Sequence, residues 1–181
     1  MEEIKKSKSK VIVPLSLVVI GLIIGLIISF GSSIAVKHTS DKNYCASCHT
    51  MQPIVDSYKM DVHGGAGKHG IEVKCVYCHL PQDSMANYLI TKAKTGMHDL
   101  YAENFTDTSK IDWQKLRNHR ESFTFDSACL NCHANLKDST ESNLKAFNAH
   151  RKYFAKTTDK TCVGCHKNVG HKDLGLFLPK N

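Results

Sequence analysis

The chain has 181 residues, with 24 Lys+Arg against 17 Asp+Glu and a formal net charge of +7. That length holds one membrane anchor and one modest domain, not two domains. The charge surplus excludes nothing by itself, but no basic stripe interleaved with aromatics accompanies it, so nucleic-acid binding is set aside.

The first ten residues carry Lys5, Lys6, Lys8 and Lys10. They precede an uncharged apolar run from Val11 to Val36, bracketed by Lys10 and Lys37. About 20 helical residues at ~1.5 Å each cross the ~30 Å hydrocarbon layer, so this run suffices as a transmembrane helix. Pro14 sits in its first turns, where a helix tolerates proline best. Gly21 and Gly25 read as ordinary transmembrane glycines, although their spacing is compatible with helix–helix contact and a homo-oligomer. The lysines ahead of the run place the N-terminus in the cytoplasm by the positive-inside bias. The run is too long for a signal-peptide h-region and no clear small-x-small cleavage site follows, so an uncleaved signal anchor is expected. The expected organisation is a basic cytoplasmic tail over 1–10, a transmembrane signal anchor over 11–36 and an external domain over 37–181.

Cys-x-x-Cys-His occurs four times in that domain, as Cys45/Cys48/His49, Cys75/Cys78/His79, Cys129/Cys132/His133 and Cys162/Cys165/His166. All eight Cys are used, which leaves none for a disulfide framework. Two thiols three residues apart lie on one side of a helical turn and reach the two vinyl groups of one porphyrin, with the adjacent His over the iron. Zinc or a redox dithiol gives no reason for the fifth-position His in all four. Four covalent haem c groups are therefore expected, and thioether attachment occurs on the outer, periplasmic face of the cytoplasmic membrane. From Lys37 onward 20 basic residues face 15 acidic ones, a surplus that compensates the haem propionates. With four macrocycles in so small a domain, the fold is expected to be mainly α, with short helices around a haem-filled core and little β structure.

Seven His lie outside the motifs as distal-ligand candidates. His171 lies five residues after the fourth motif, His150 precedes that motif, and His63 stands before the second. These three rank ahead of His119, which ranks ahead of His38, His69 and His98. The first motif continues into Thr50 and Met51, and a Met thioether raises a haem potential relative to His. Spacing alone leaves His49 and Met51 both open as the proximal ligand. Between the second and third motifs, Ser109 ahead of Ile111-Asp112-Trp113 reads as a helix start.

These features resemble the NapC/NirT/NrfH family of membrane-anchored multihaem quinol dehydrogenases. The likeness runs through the anchor, CASCHTM at 45–51, the Asp61-Val62-His63 step, CVYCHLP at 75–81, Thr91-Lys92-Ala93-Lys94-Thr95-Gly96, and TCVGCHKNVGH at 161–171. The resemblance implies a first haem at the membrane surface with Met51, not His49, as its axial ligand. It also implies a quinol pocket lined by a Lys and an Asp seven residues apart, which here are Lys92 and Asp99, with Lys94 as substitute for Lys92. Met85, Tyr88, Lys92, Gly96 and Asp99 would form one helical stripe over the first haem.

The implied activity is oxidation of membrane quinol, menaquinol in the first instance, with electrons passed to a periplasmic multihaem reductase. A cytochrome c nitrite reductase is the partner favoured by the length and the CHKNVGH ending. A nitrate reductase or a hydroxylamine-oxidoreductase-like octahaem enzyme is the alternative partner, since the Gly-rich stretch His63–Gly67 departs from the pattern. A self-sufficient small-molecule reductase with an open first haem is an alternative function, and a haem-based sensor or assembly factor is a further one.

Overall fold

The computed structural model describes residues 2–67 and 70–179, with side chains from Ile12 onward. The lysines of the basic tail precede the described side chains, and His69 lies outside the described residues. The chain divides into two compact units, residues 1–40 and 41–181.

The first unit is a single helix, α1, Glu2–His38. Its segment Ile12–His38 is long and apolar enough to cross a membrane, with a mean hydropathy of 2.8. Such a helix must satisfy its polar groups internally. It does so: the Ser16 hydroxyl donates to the Val13 carbonyl at 2.8 Å and Ser32 to Ile28 at 2.7 Å. Helical geometry runs from Glu2 through the expected span and stops two residues beyond Val36.

The second unit is a string of short helices: α2 Lys42–Cys45, α3 Gln52–Lys59, α4 Val76–His79, α5 Met85–Phe105, α6 Trp113–Asn118, α7 Asp126–Cys132, α8 Leu136–Ser139, α9 Leu144–Phe154 and α10 Cys162–Cys165. Among the described residues no strand forms beyond one isolated bridge, Gly64 to Glu72. Side chains start the helices in a regular way. Asp41, Ser84, Asn143 and Thr161 each accept a backbone N–H at the N-caps of α2, α5, α9 and α10. The start expected at Ser109 falls elsewhere. Asp112 caps α6 by accepting from the Lys115 N–H at 2.9 Å, whereas Ser109 lies inside a 3-10 turn, Thr108–Lys110, capped by Asp107. A carboxylate one residue before the helix outcompeted the hydroxyl upstream.

Only Val55, Tyr58, Val76, Leu80, Ala128, Val163 and Leu178 form a buried apolar set among the described residues. Seven side chains cannot hold a domain of this length by themselves, and four of them adjoin or lie within Cys-x-x-Cys-His motifs. The helices are therefore spaced for a core that is not polypeptide. Their long-range ties are polar. The Ser57 hydroxyl, fully buried in α3, donates to the Lys172 carbonyl at 2.9 Å across 115 residues of sequence. A 3-10 turn at Leu174–Leu176 completes the C-terminal segment against α3.

The Gly-rich stretch after His63 is a tight fitting, not slack. A Cβ at Gly64 would lie 1.8 Å from the Tyr58 carbonyl oxygen, and Gly65 has φ +96°. Gly64→Ala should cost ~1–3 kcal/mol by forcing that backbone apart. Gly96→Ala, where nothing lies within 4 Å, should be neutral or stabilising by up to ~1 kcal/mol through helix propensity. Thermal unfolding of the two variants by circular dichroism checks the contrast, and equal behaviour would contradict the close approach at Gly64.

Candidate functional site

Each Cys-x-x-Cys pair sits on a helical turn, as the spacing requires. Cys45 ends α2 and Cys48 precedes a 3-10 turn, His49–Met51. Cys75 and Cys78 bracket the start of α4, Cys129 and Cys132 lie in α7, and Cys162 and Cys165 form the ends of α10. The sulfurs of Cys45 and Cys75 are hydrogen-bond neighbours, as are those of Cys129 and Cys162, and Cys78 lies in the electrostatic field of Cys129 and Cys132. Haem attachment would convert these thiols to thioethers. Their adjacency links the motifs in the order first, second, third, fourth.

Three motif histidines each face a second imidazole. His79 and His171 have ring centroids 6.1 Å apart, His63 and His133 6.3 Å, and His150 and His166 6.1 Å. A His nitrogen lies ~2 Å from a metal it binds and the ring centre ~1 Å behind it, so two imidazoles across one metal have centroids ~6 Å apart. The spacing fits one ion between each pair. It brings together the three distal candidates His171, His63 and His150, and joins two of them to motifs that are not their nearest in sequence. His98 and His119 lie exposed on α5 and at the end of α6.

Second partners orient these rings. The Nδ1 of His79 donates to the Phe123 carbonyl at 2.7 Å, and that of His171 to the Ile54 carbonyl at 3.2 Å. A carbonyl only accepts, so Nδ1 carries the proton and Nε2 keeps its lone pair for a metal. Burial also pushes the His171 imidazole down to about 4 and lowers His79, favouring the neutral, ligating form. Asp61 accepts both the backbone N–H and the Nδ1 of His63, each at 2.9 Å. The Asp-x-His step thus holds its own ring, and the buried Asp61 is the reason for the pattern.

The first motif differs. Its His49 is exposed, and among the described residues no imidazole faces it, whereas Met51 is half-buried at the start of α3. The motif is clamped to α5: Glu103 accepts the His49 backbone N–H at 3.1 Å and the Thr50 hydroxyl. Lys92 and Asp99 both act electrostatically on the Cys45 sulfur, and Asp99 and Glu103 on that of Cys48. Partial burial lowers the Lys92 ammonium from the usual lysine range, and Asp99 is exposed, 3.4 Å from His98. Lys92 and Asp99 thus both lie within electrostatic range of the first motif, Asp99 also within that of His79, and Lys94 is exposed.

Glu103 and Asp126 were not singled out by sequence. Asp126 at the first turn of α7 accepts the Tyr153 hydroxyl at 2.7 Å and the Cys162 N–H at 2.9 Å, which joins the third and fourth motifs. No local pattern marks either carboxylate, since each acts on residues far along the chain.

The NapC/NirT cytochrome c family, N-terminal region, matches residues 7–175. The chain is 32% identical over 170 residues to the tetraheme c-type cytochrome CymA of Shewanella oneidensis, covering 87% of this chain and 89% of that protein. It is 31% identical over 171 residues to the cytochrome c-type protein NrfH of Wolinella succinogenes, covering 91% and 89%. The cytochrome c-type protein TorC of Escherichia coli is 25% identical over 173 residues, and the match spans 87% of this chain but 42% of that longer one. No solved structure matches the chain significantly.

Asp126→Ala leaves the Tyr153 hydroxyl and the Cys162 N–H without their acceptor and should cost ~1.5–3 kcal/mol. Tyr153→Phe removes one of the two bonds and should cost about 1 kcal/mol or less. Urea unfolding followed by far-ultraviolet circular dichroism separates the two.

Proposed function

The chain belongs to the NapC/NirT cytochrome c family, and on that premise we propose that it takes electrons from membrane quinol at its first haem and delivers them to a periplasmic reductase. It carries four covalently bound haem c groups. The observation that carries the proposal is the asymmetry of the sites. Three motif histidines face a second imidazole, while the first motif is faced by Lys92 and Asp99.

In this reading His79 with His171, His133 with His63 and His166 with His150 would hold three irons, and Met51 would hold the first. His49 remains on the exposed turn, its backbone fixed by Glu103. When bound, the haems supply a row of one-electron sites, closely spaced because the attachment sulfurs of successive motifs adjoin. The protein's own residues handle the protons. Quinol oxidation releases two electrons and two protons; Asp99, open to solvent, accepts a proton from the quinol hydroxyl and passes it outward. The Lys92 ammonium, held partly out of water, orients the quinol oxygen and stabilises the anion that deprotonation leaves.

The α1 span anchors the chain in the cytoplasmic membrane. Its N-terminus lies in the cytoplasm and the domain from Asp41 onward in the periplasm. Menaquinol is the donor, and the acceptor is a multihaem enzyme of the cytochrome c nitrite reductase type. Support for that acceptor is the likeness to NrfH and the CHKNVGH ending.

Lys92→Ala and Asp99→Asn should each slow reduction by a menaquinol analogue by ~10²-fold or more with four haems still attached. Stopped-flow haem reduction with pyridine haemochrome quantitation reads this, and wild-type rates in both variants remove the pocket. His171→Ala, His63→Ala and His150→Ala should each turn one low-spin haem high-spin. Met51→Leu should alter one haem more than His49→Ala does. Electron paramagnetic resonance of the oxidised proteins decides these assignments. The acceptor is tested by co-purification, with a nitrite reductase in the isolated complex as the expected result.

A further inference from the structure

Helix α5 is amphipathic in the reverse sense of a helix laid on a core. Its less exposed positions, Tyr88, Lys92, Gly96 and Glu103, fall on one stripe, from which Glu103 and Lys92 engage the first motif. Tracing 3.6 residues per turn, the opposite arc holds Ile90 at 67% exposure, Met97 at 69%, Leu100 at 52% and Tyr101 at 61%, with Ala86, Ala93 and the uncharged Asn104 between them. No charged side chain interrupts this arc. The thioether positions Cys45 and Cys48 lie on the polar side, so the first haem belongs to that side and the apolar arc turns away from it.

Among the described residues the arc is open, each of its four large side chains being more than half exposed, and two observations name its occupant. The domain begins at Asp41, three residues after the apolar span ends at His38, so the linker holds the domain at whatever bilayer that span crosses. The rim of the arc also has the composition of a bilayer boundary. Tyr101 stacks on Phe105 at 5.4 Å with both rings exposed, and Lys94 borders them. We propose that the outer face of α5 lies in the headgroup–acyl boundary of the membrane, a second and interfacial attachment besides α1. Gly96, with open space where a side chain would stand, separates Leu89 and Leu100 on the arc from Lys92 on the polar stripe. A quinol moving sideways out of the lipid passes that notch to reach Lys92; this last step rests on the quinol reading, whereas lipid contact does not.

The experiment uses the full haem-bearing chain in nanodiscs of phosphatidylethanolamine and phosphatidylglycerol. Haem attachment consumes all eight native cysteines, so Ile90→Cys, Met97→Cys and Lys145→Cys each provide one free thiol for a nitroxide label. Power saturation then compares relaxation by oxygen, which partitions into lipid, with relaxation by a water-soluble nickel chelate. Labels at 90 and 97 should favour oxygen several-fold relative to the label at 145, an exposed position on α9. Nickel accessibility at 90 and 97 equal to that at 145 overturns the proposal. So does dipolar broadening between labels at either position, which would identify a second copy of the chain as the occupant. Two labelled positions guard against a single variant that fails to take up its haems, and no quinol enters the measurement.

Discussion

The domain that follows the anchor is arranged around imidazole rings held at about 6 Å from one another, and the rest of its architecture follows from that requirement. A protein core ordinarily closes by contact between apolar side chains. Here the apolar side chains are too few to do so, and the gap between each pair of facing rings has the width that a metal ligated by both would fill. Helices need be only long enough to present two sulfurs and a ring, which is why most are one or two turns. Five of them, α2, α5, α6, α9 and α10, carry a side-chain cap at the N-terminus, which supports helices that have little tertiary packing to stabilise them.

Holding a ring at a defined distance from another, far along the chain, calls for rigid local devices. Asp61 fixes His63 through two bonds to one carboxylate oxygen, and the backbone behind it is pressed against Tyr58 at a position where only glycine fits. Asp126 ties the third and fourth attachment helices, and Glu103 ties the first to α5. Each device is a buried or half-buried acceptor that satisfies backbone or hydroxyl donors, so it removes a desolvation cost while it sets a distance. Among the described residues the first motif has no opposing imidazole, and α5 is tied to it through Glu103.

What could be read in advance depended on whether the signal was local. The attachment pairs, the proximal rings at His79, His133 and His166, the apolar span and the Lys92–Asp99 spacing are all short-range patterns. The identities of the opposing rings were also legible, because unassigned His are few. Their partners were not. His171 lies five residues after the fourth motif but faces His79 of the second, since Ser57 captures the Lys172 carbonyl and folds the C-terminal segment back onto α3. His63 stands before the second motif yet faces His133 of the third, because the Gly64 turn sends it away from its neighbour. Glu103 reaches His49 across 54 residues, and no periodicity announces such a contact. At Ser109 even a local signal is outcompeted: a hydroxyl in a good position yielded to the carboxylate of Asp112 nearer the helix.

The crossing of His171 to His79 has a consequence for the order in which the protein is made. A chain synthesised from its N-terminus contains the second Cys-x-x-Cys-His motif long before residue 171 is added. His79 lacks its facing ring through most of synthesis, and gains it only when the final segment docks on Ile54 and Ser57. The Cys75 and Cys78 side of the domain is thus left uncovered by that segment until synthesis is complete. The last stretch to arrive acts as the bolt of the assembly, so a chain that stops early leaves His79 without the ring that faces it.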